Sequence, residues 1–216
     1  MKKYTCFYTF LFFTSVILGI YVSSMTSRAN SNMVTGYFRG DFVPGIAQSG
    51  TSYLSYNGYG NYGINVSESP NHFYNYALSV CDVILIHTHG NDGYFTTKPS
   101  NGVISGNSVT SYAPSNSAKL VYISACYSGN SSAAYGNVCS ALCSKGVSAV
   151  VAFTGTITAS TGSNGIHSFN LQVIQKLKSG ISLYSALAQV KQIFIDSGTL
   201  YGSDTAVFYG NGGLTL

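Results

Sequence analysis

Two short segments of the chain each end in a side chain that can do chemistry. Segment 83–90 runs through four apolar residues to His89 and Gly90, and segment 120–126 is mostly apolar and ends at Cys126. If these segments are neighbouring strands of a parallel sheet, His89 and Cys126 meet at its carboxyl edge, where open α/β sheets place their sites. A thiol beside an imidazole is the minimum equipment for nucleophilic catalysis by cysteine. The pattern therefore predicts Cys126 as a nucleophile and His89 as its general acid and base.

The same chemistry needs a site for the negative charge that develops on the attacked carbonyl oxygen. Preorganised backbone N–H groups are common donors to such an oxyanion. Gly90 and Cys126 are the candidates, because glycine lets a substrate approach the backbone closely and the Cys126 amide belongs to the nucleophile itself. We expect these two amides to form an oxyanion hole.

Strand and helix patterns alternate along the chain and must position these residues. Runs of consecutive apolar β-formers predict buried strands, and apolar residues at a helical period predict helices. Ser69 and Pro70 are the residue types of an N-cap and a first helical position. The predicted strands are 63–66, 82–87, 103–105, 119–124, 147–153 and 205–209, and the predicted helices are 70–80, 133–144, 165–178 and 182–196.

Alternation of this kind predicts an α/β fold with a mainly parallel central sheet and helices on both faces. Residues 30–80 are the least defined part of the pattern. Within them, residues 53–60 fit either a strand with a turn or a loop, and further on residues 91–117 form a long polar stretch.

The first 29 residues have the pattern of a secretory signal peptide. Lys2 and Lys3 precede the apolar run 7–22, and small residues follow it. Cleavage would leave residues 30–216 as one exported domain, large enough for a sizeable core. The apolar run is somewhat short for a membrane span, which needs about 20 residues. An uncleaved anchor is the alternative, and we expect no other stable membrane insertion.

Charge excludes one class of partner. The chain has 10 Lys and Arg against 6 Asp and Glu, and Lys2, Lys3 and Arg28 fall within the predicted signal. The remaining domain is nearly neutral, whereas nucleic-acid binding shows as a basic patch. We expect no nucleic-acid partner.

Four cysteines lie beyond the predicted signal: Cys81, Cys126, Cys139 and Cys143. An even number in an exported protein permits two disulfides, although a domain of this size does not need them. Cys139 and Cys143 share one face of a predicted helix, and we interpret them as small buried apolar residues. No second cysteine or histidine pair completes a tetrahedral site around them, so we expect no metal and no cofactor.

Other histidines compete with His89 for the catalytic role. His87 lies one pleat earlier with no glycine after it, and we interpret it as a core histidine, with exchanged roles as the alternative. His72 and His167 are interpreted as surface or helical residues. The run from His87 also resembles a metallo-β-lactamase metal motif, but Asn91 occupies the aspartate position and no histidine follows.

An apolar strand ending in His-Gly, followed by an apolar strand ending in Ala-Cys-x-x-Gly, resembles the caspase-like cysteine peptidases, which include caspases, clostripain, gingipains and CHAT-domain peptidases. Segment 146–153 is similar to the strand after the catalytic helix in the gingipain and CHAT groups, and tail 208–216 is similar to their closing pattern. The resemblance covers residues 82–216. It implies a caspase-like three-layer sandwich and a dyad of His89 and Cys126.

The chain departs from the family pattern in places. Asn211 and Gly212 stand where Asp-Pro is usual, and Ser124 stands where caspases have glutamine. Caspase-type specificity for aspartate needs arginines, and the arginines of this chain are Arg28 and Arg39.

Relatives with basic specificity place a carboxylate in the pocket that receives the side chain before the cut. Asp82 more simply begins a strand, and Asp92 more simply lies in a solvated loop. The acidic candidates are Asp41, Glu68, Asp82 and Asp92.

Together these features predict a secreted cysteine endopeptidase that cleaves protein or peptide substrates through a thioester acyl-enzyme. One alternative is a non-catalytic binding protein on the same fold. Another is a transpeptidase or ligase that uses the same dyad. The sequence leaves the oligomeric state open.

Overall fold

The structure is a computed structural model in which Asn32–Leu216 form one compact unit. The predicted signal peptide lies outside the described residues, as do the pocket candidates Asp41 and Glu68. Within the described ranges, every helix is too short or too polar to span a bilayer. The structure describes residues 32–38, 45–66, 69–97, 102–160, 162–199 and 201–216.

The strands form two sheets. Those of the main sheet are β1 Met33–Phe38, β2 Gly60–Val66, β3 Val83–His87, β7 Leu120–Ser124, β8 Ala149–Phe153 and β9 Ala206–Gly210, and those of a small sheet are β4 Gly90–Asn91, β5 Tyr94–Thr96 and β6 Val103–Ser105. Among the described residues, the main sheet has the order β2-β1-β3-β7-β8-β9. All its neighbours are parallel except β8 and β9, which are antiparallel. The small sheet is antiparallel.

Helices cover both faces of the main sheet. They are α1 Ile46–Tyr56, α2 (Pro70–His72, the π-helical Phe73–Ala77 and Leu78–Val80), α3 Gly106–Tyr112, α4 Val138–Ser144, α5 Ile166–Lys178 and α6 Leu183–Asp196. Leu85 and Tyr122 pack with α1, α5 and α6, whereas Ile84 and Val121 pack with α2, α3 and α4. Burial on both faces explains why β3 and β7 are continuous apolar runs. The mixed α/β sandwich with a mainly parallel sheet is confirmed.

One expectation was wrong in kind. Residues 53–60 were expected to be a strand with a turn or a loop, but residues 53–56 form the end of α1 and Asn57 is its C-cap. The buried face of α1 includes Ile46, Gly50 and Leu54, a helical spacing. Gly50 supplies no apolar side chain, so the period is hidden from hydropathy, yet a Cβ there would lie 2.6 Å from Leu85 Cδ1. The helix packs tightly on β3 because that residue is glycine.

Two other helices differ from the sequence prediction: one starts later than predicted, and one was not predicted. Helix α4 starts at Val138 rather than residue 133, because Ser132 and Gly136 pair across a turn and Asn137 caps the helix. Helix α3 lies within the polar stretch 91–117 and was not predicted. Its N-cap is Ser105, whose side chain accepts a hydrogen bond from the amide of Ser108.

Candidate active site

The strand register brings the two reactive segments together. Strands β3 and β7 are parallel neighbours, and His87 pairs with Ser124 at their carboxyl ends. His89 and Cys126 each follow two residues later, so both leave the same edge of the sheet at the same level. The expected meeting of these segments at the carboxyl edge is what the register produces.

Direct contact between the two segments comes from Gly90. A Cβ at this position would lie 2.7 Å from the carbonyl oxygen of Cys126 and 2.9 Å from Cβ of Ala125. Gly90 lies opposite Phe95, while Thr96 N donates to the His89 carbonyl oxygen at 2.9 Å. Hydrogen-bonded and non-hydrogen-bonded pairs alternate in antiparallel ladders, so the N–H of Gly90 is directed away from β5.

The Cys126 turn, residues 126–129, positions the thiol. Tyr127 adopts a left-handed conformation with φ of 53°. Its N–H donates to the Gly155 carbonyl oxygen at 3.1 Å, and Gly129 N donates to that of Phe153 at 2.9 Å. A non-glycine residue with positive φ costs free energy and persists where surrounding contacts hold it. Here the end of β8 holds the turn.

The thiol of Cys126 lies against the backbone of Ile157. Ile157 N–H donates to Sγ at 3.4 Å, and Sγ lies 3.5 Å from the Ile157 carbonyl oxygen, to which the S–H can donate. The backbone of Ile157 therefore holds Sγ through both a donor and an acceptor.

Cys126 opens into a cavity of about 330 Å³. His89 is exposed at this cavity, whereas His87 is buried behind it. The lining contains no Asp, Glu, Lys or Arg among the described residues. The lining residues are His87, Thr88, His89, Cys126, Ile157, Thr158 and Ala159.

A chain of buried polar groups extends from the cavity into the core. Tyr122 O–H donates to Asn170 Oδ1 at 2.8 Å, and Asn170 Nδ2 donates to Ser124 Oγ at 3.0 Å. The Ser124 hydroxyl is therefore free to donate to His87 Nδ1, 3.3 Å away. His87 then carries its proton on Nε2, which lies 3.1 Å from Nε2 of His167. The hydrogen bonds run in one direction from Tyr122 to His167.

Burial keeps the two imidazoles neutral. His87 is 1% exposed and His167 is 8% exposed. Desolvation, with smaller contributions from the charges of His167 and His89, lowers the pKa of His87 to about 3. Desolvation also lowers the pKa of His167. Its Nδ1 is buried and finds no hydrogen-bond partner in the described part of the chain.

The contact of His167 with the site could not be predicted from local pattern. His167 was interpreted as a surface or helical residue; it lies on α5 but is buried. A usable signal was present, because His167 and Asn170 share a helix face with Ile174 and Leu177. Two polar residues on an otherwise apolar face suggest a buried polar contact, although its partner lies 80 residues away at His87.

The acidic pocket candidates are dispersed. Asp82 lies at the amino edge of the sheet, opposite the site, where its Oδ2 accepts from Met33 N at 3.1 Å. Asp92 is exposed in the β4–β5 turn and accepts from Asn130 Nδ2 at 2.8 Å. Neither lines the cavity beside Cys126. Asp41 and Glu68 lie outside the described residues.

The remaining described cysteines are free thiols away from the cavity. Cys81 and Cys139 are buried and Cys143 is half-buried. Desolvation chiefly raises the pKa of all three thiols, that of Cys81 to about 12. In the described ranges, no group of three His, Cys, Asp or Glu side chains is arranged to hold a metal ion.

No protein-family model and no curated protein matches the sequence. Solved structures do match. The Arg-specific cysteine proteinase gingipain R aligns with a TM-score of 0.57 and 15% identity over 85% of this chain and 46% of its own. A complex of RgpB pro- and mature domains from Porphyromonas gingivalis aligns at 0.55 and 12% identity over 85% of this chain and 48% of its own.

Caspase-1 from Spodoptera frugiperda aligns with a TM-score of 0.50 and 12% identity, over 88% of this chain and 93% of its own. This chain therefore spans about half the length of the two gingipain chains and nearly all of the caspase. These neighbours are caspase-like cysteine peptidases. Identities of this size carry the fold alone, and the chain has the caspase-like fold.

Proposed function

We propose that the chain is a secreted cysteine endopeptidase in which Cys126 is the nucleophile and His89 the general acid and base. The observation that carries this proposal is the pairing of His87 with Ser124, which brings both reactive residues off one sheet edge at one level. The contact of Gly90 with the Cys126 backbone supports it. So does the cavity that His89 and Cys126 share.

The reaction begins when His89 takes the proton of the Cys126 thiol. The thiolate attacks the carbonyl carbon of the scissile peptide bond, and the carbonyl oxygen becomes an oxyanion that accepts from the N–H groups of Gly90 and Cys126. His89 gives its proton to the leaving amine as the C–N bond breaks, which leaves a thioester on Cys126. Water, deprotonated by His89, then hydrolyses the thioester and restores the thiol.

His89 suits this role better than His87. Both ring nitrogens of His87 are engaged, one with Ser124 and one with His167, and burial lowers its pKa. A general base must reach the proton that it abstracts and must accept a charge there. His89 is exposed at the cavity.

The test is covalent labelling by peptidyl acyloxymethyl ketones, read as intact-protein mass. We expect a single adduct on the wild type, none on Cys126→Ala, and labelling of His89→Ala slowed by at least ~100-fold, the usual contribution of general acid–base catalysis. Cys143→Ala is the matched control, because Cys143 is a half-buried thiol away from the cavity, and it should label at the wild-type rate.

A folded, reduced protein that no probe labels would contradict the peptidase proposal and favour a non-catalytic binding protein on this fold. A labelled protein that joins an added amine to a peptide, rather than releasing the acid, would assign the same dyad to a transpeptidase or ligase. Cleavage of a protein substrate by the wild type but not by Cys126→Ala would support hydrolysis.

A further inference from the structure

The cavity beside Cys126 has one wall that begins at the nucleophile. The backbone of Ile157 contacts Sγ through both its N–H and its carbonyl oxygen, and Thr158 and Ala159 continue the same lining. An acyl group attached to Sγ therefore starts beside this segment. The cavity, about 330 Å³, falls at the lower end of the range typical of ligand pockets, about 300–1,000 Å³. It can receive a substrate side chain next to the reacting carbonyl.

Beyond this wall and the two proposed catalytic residues, the described lining consists of His87 and Thr88, which are polar and neutral. His87 is held by hydrogen bonds from the Ser124 hydroxyl and to His167, so its ring is already committed on both nitrogens. Thr88 is likewise engaged, because its Oγ1 donates to the Thr96 carbonyl oxygen at 2.7 Å. His87 and Thr88 therefore have little hydrogen-bonding capacity left for a charged substrate group.

A charged substrate side chain would find no counter-ion in the described lining. Two of the pocket candidates lie within the described residues. Asp82 lies at the opposite edge of the sheet, and Asp92 lies in an exposed turn. Taking an ion out of water without a partner costs several kcal/mol, whereas an apolar or amide side chain loses far less. The lining therefore selects against charge of either sign.

We infer that this cavity receives the side chain on the acyl side of the scissile bond and selects an uncharged residue. Ile157 and Ala159 provide apolar contact, and Thr158 provides a hydroxyl at the rim. This inference rests on the proposed peptidase function. The expected preference differs from that of gingipain R, an Arg-specific cysteine proteinase.

The first test is a series of peptide substrates that differ at this one residue. Leu, Ala and Asn substrates should exceed the Arg, Lys, Asp and Glu substrates in kcat/KM by at least ~100-fold, because the unpaired charge must be desolvated. The substrates are assayed under reducing conditions with residues 30–216, the chain that remains after the predicted cleavage. The Cys126→Ala variant gives the background rate.

The second test installs the missing charge. Thr158→Asp places a carboxylate in the lining, and we expect cleavage after Arg and Lys to rise by at least ~10-fold while cleavage after Leu falls. Thr158→Asn is the matched control, because it has the same shape as aspartate without the charge. It should leave the Arg and Lys substrates as poor as in the wild type.

Three results would overturn the inference. A wild-type preference for Asp or Glu would do so. A wild-type preference for Arg or Lys would also overturn it. If Asp41→Asn or Glu68→Gln then abolished that preference, the counter-ion would be a carboxylate outside the described residues. Equal rise of Arg cleavage in Thr158→Asp and Thr158→Asn would also do so.

A binding experiment tests the cavity preference if the protein is not a peptidase. If no substrate is cleaved and no probe labels Cys126, the same peptides with free carboxyl termini are titrated into the folded protein. Tighter binding of the Leu, Ala and Asn peptides than of the charged ones would support the cavity preference without catalysis. Equal or undetectable binding of all of them would overturn the cavity preference as well.

Discussion

Glycines rather than side chains set the spacing between the two reactive segments. Gly90 lies against the Cys126 backbone. At the other end of the Cys126 turn, a Cβ on Gly129 would lie 2.9 Å from Val207 Cγ2 and 3.3 Å from the Phe153 carbonyl oxygen. Backbone atoms cannot move aside as a flexible side chain can. A Cβ at position 90 would therefore displace the backbone of Cys126 or Tyr94, whereas a Cβ at position 129 would press first on the Val207 side chain.

Gly90→Ala should separate the histidine and cysteine segments. The new Cβ would lie 2.7 Å from the Cys126 oxygen and 2.9 Å from the Tyr94 oxygen, both backbone atoms. Overpacking of this kind costs about 1–3 kcal/mol. We expect that loss in urea unfolding, together with a labelling rate at Cys126 reduced at least ~10-fold.

Gly60→Ala is the matched control for that substitution. Gly60 lies on edge strand β2, and the nearest atoms to a Cβ there are 3.6 and 3.8 Å away, an ordinary contact distance. Its free energy of unfolding should stay within about 0.5 kcal/mol of wild type. Wild-type labelling by Gly90→Ala would show that the close approach of the two segments is not needed.

At the scale of elements, one side chain joins helix α4 to the Cys126 turn. Asn137 Oδ1 accepts from Ser140 N at 2.8 Å and so caps the helix. Its Nδ2 donates to the carbonyl oxygens of Gly129 at 3.1 Å and Asn130 at 3.2 Å. The amide thus serves two elements, and its acceptor and donor functions can be separated by substitution.

Asn137→Ser should keep the cap and lose the donor, whereas Asn137→Ala should lose both. We expect Asn137→Ala to be less stable than Asn137→Ser by about 1 kcal/mol, the usual contribution of an N-cap. The labelling rate of Cys126 should fall equally in the two variants, since both lose the Nδ2 donor to the turn while its bonds to the end of β8 remain. Two results would contradict this division of roles. One is an equal free energy of unfolding for the two variants, and the other is a labelling rate that is lower in the less stable variant.

The strands and helices differ in how well the sequence alone predicts them. Strands β3, β7 and β8 were predictable, because burial on both faces makes each a continuous apolar run. Helix α1 was not predictable, because its buried face includes Gly50 and Thr51. The start of α4 was placed too early, since alanines at 133 and 134 extend its period into a turn that only Asn137 ends.

The sequence predicted that the segments of His89 and Cys126 meet at one sheet edge, because each follows a strand that composition identifies. The cavity wall at 157–159 could not be predicted, and neither could the partners that Asn170 and His167 find in the core. Their partners lie between 31 and 80 residues apart, and no local periodicity encodes such contacts.

At the scale of the whole molecule, the buried chain couples the central sheet to α5. It links Tyr122 and Ser124 of β7, His87 of β3, and Asn170 and His167 of α5. An unpaired polar group in the core is costly, and among the described residues Nδ1 of His167 is a member of this chain that already lacks a hydrogen-bond partner. The described members include no carboxylate that could compensate a proton gained by either imidazole.

Stability should therefore fall on the acid side through these histidines. The pKa of His87 is lowered in the folded state, so between that value and about 6.5 the unfolded chain binds a proton that the native state does not. The unfolding free energy should decrease by up to about 1.4 kcal/mol per pH unit for each such group as pH falls below about 6.5. Above that pH the contribution is fully present.

His87→Gln isolates this term, because glutamine retains hydrogen-bonding groups but does not titrate. We expect chemical denaturation between pH 8 and 4 to give a shallower acid slope for His87→Gln than for wild type, while carboxylate titrations remain common to both. His72→Gln is the matched control, since His72 bonds Tyr37 on the other side of the fold, and its slope should match wild type. If His87→Gln and wild type lose stability in parallel, His87 is not the group that makes the fold acid-sensitive, and the proton must enter elsewhere.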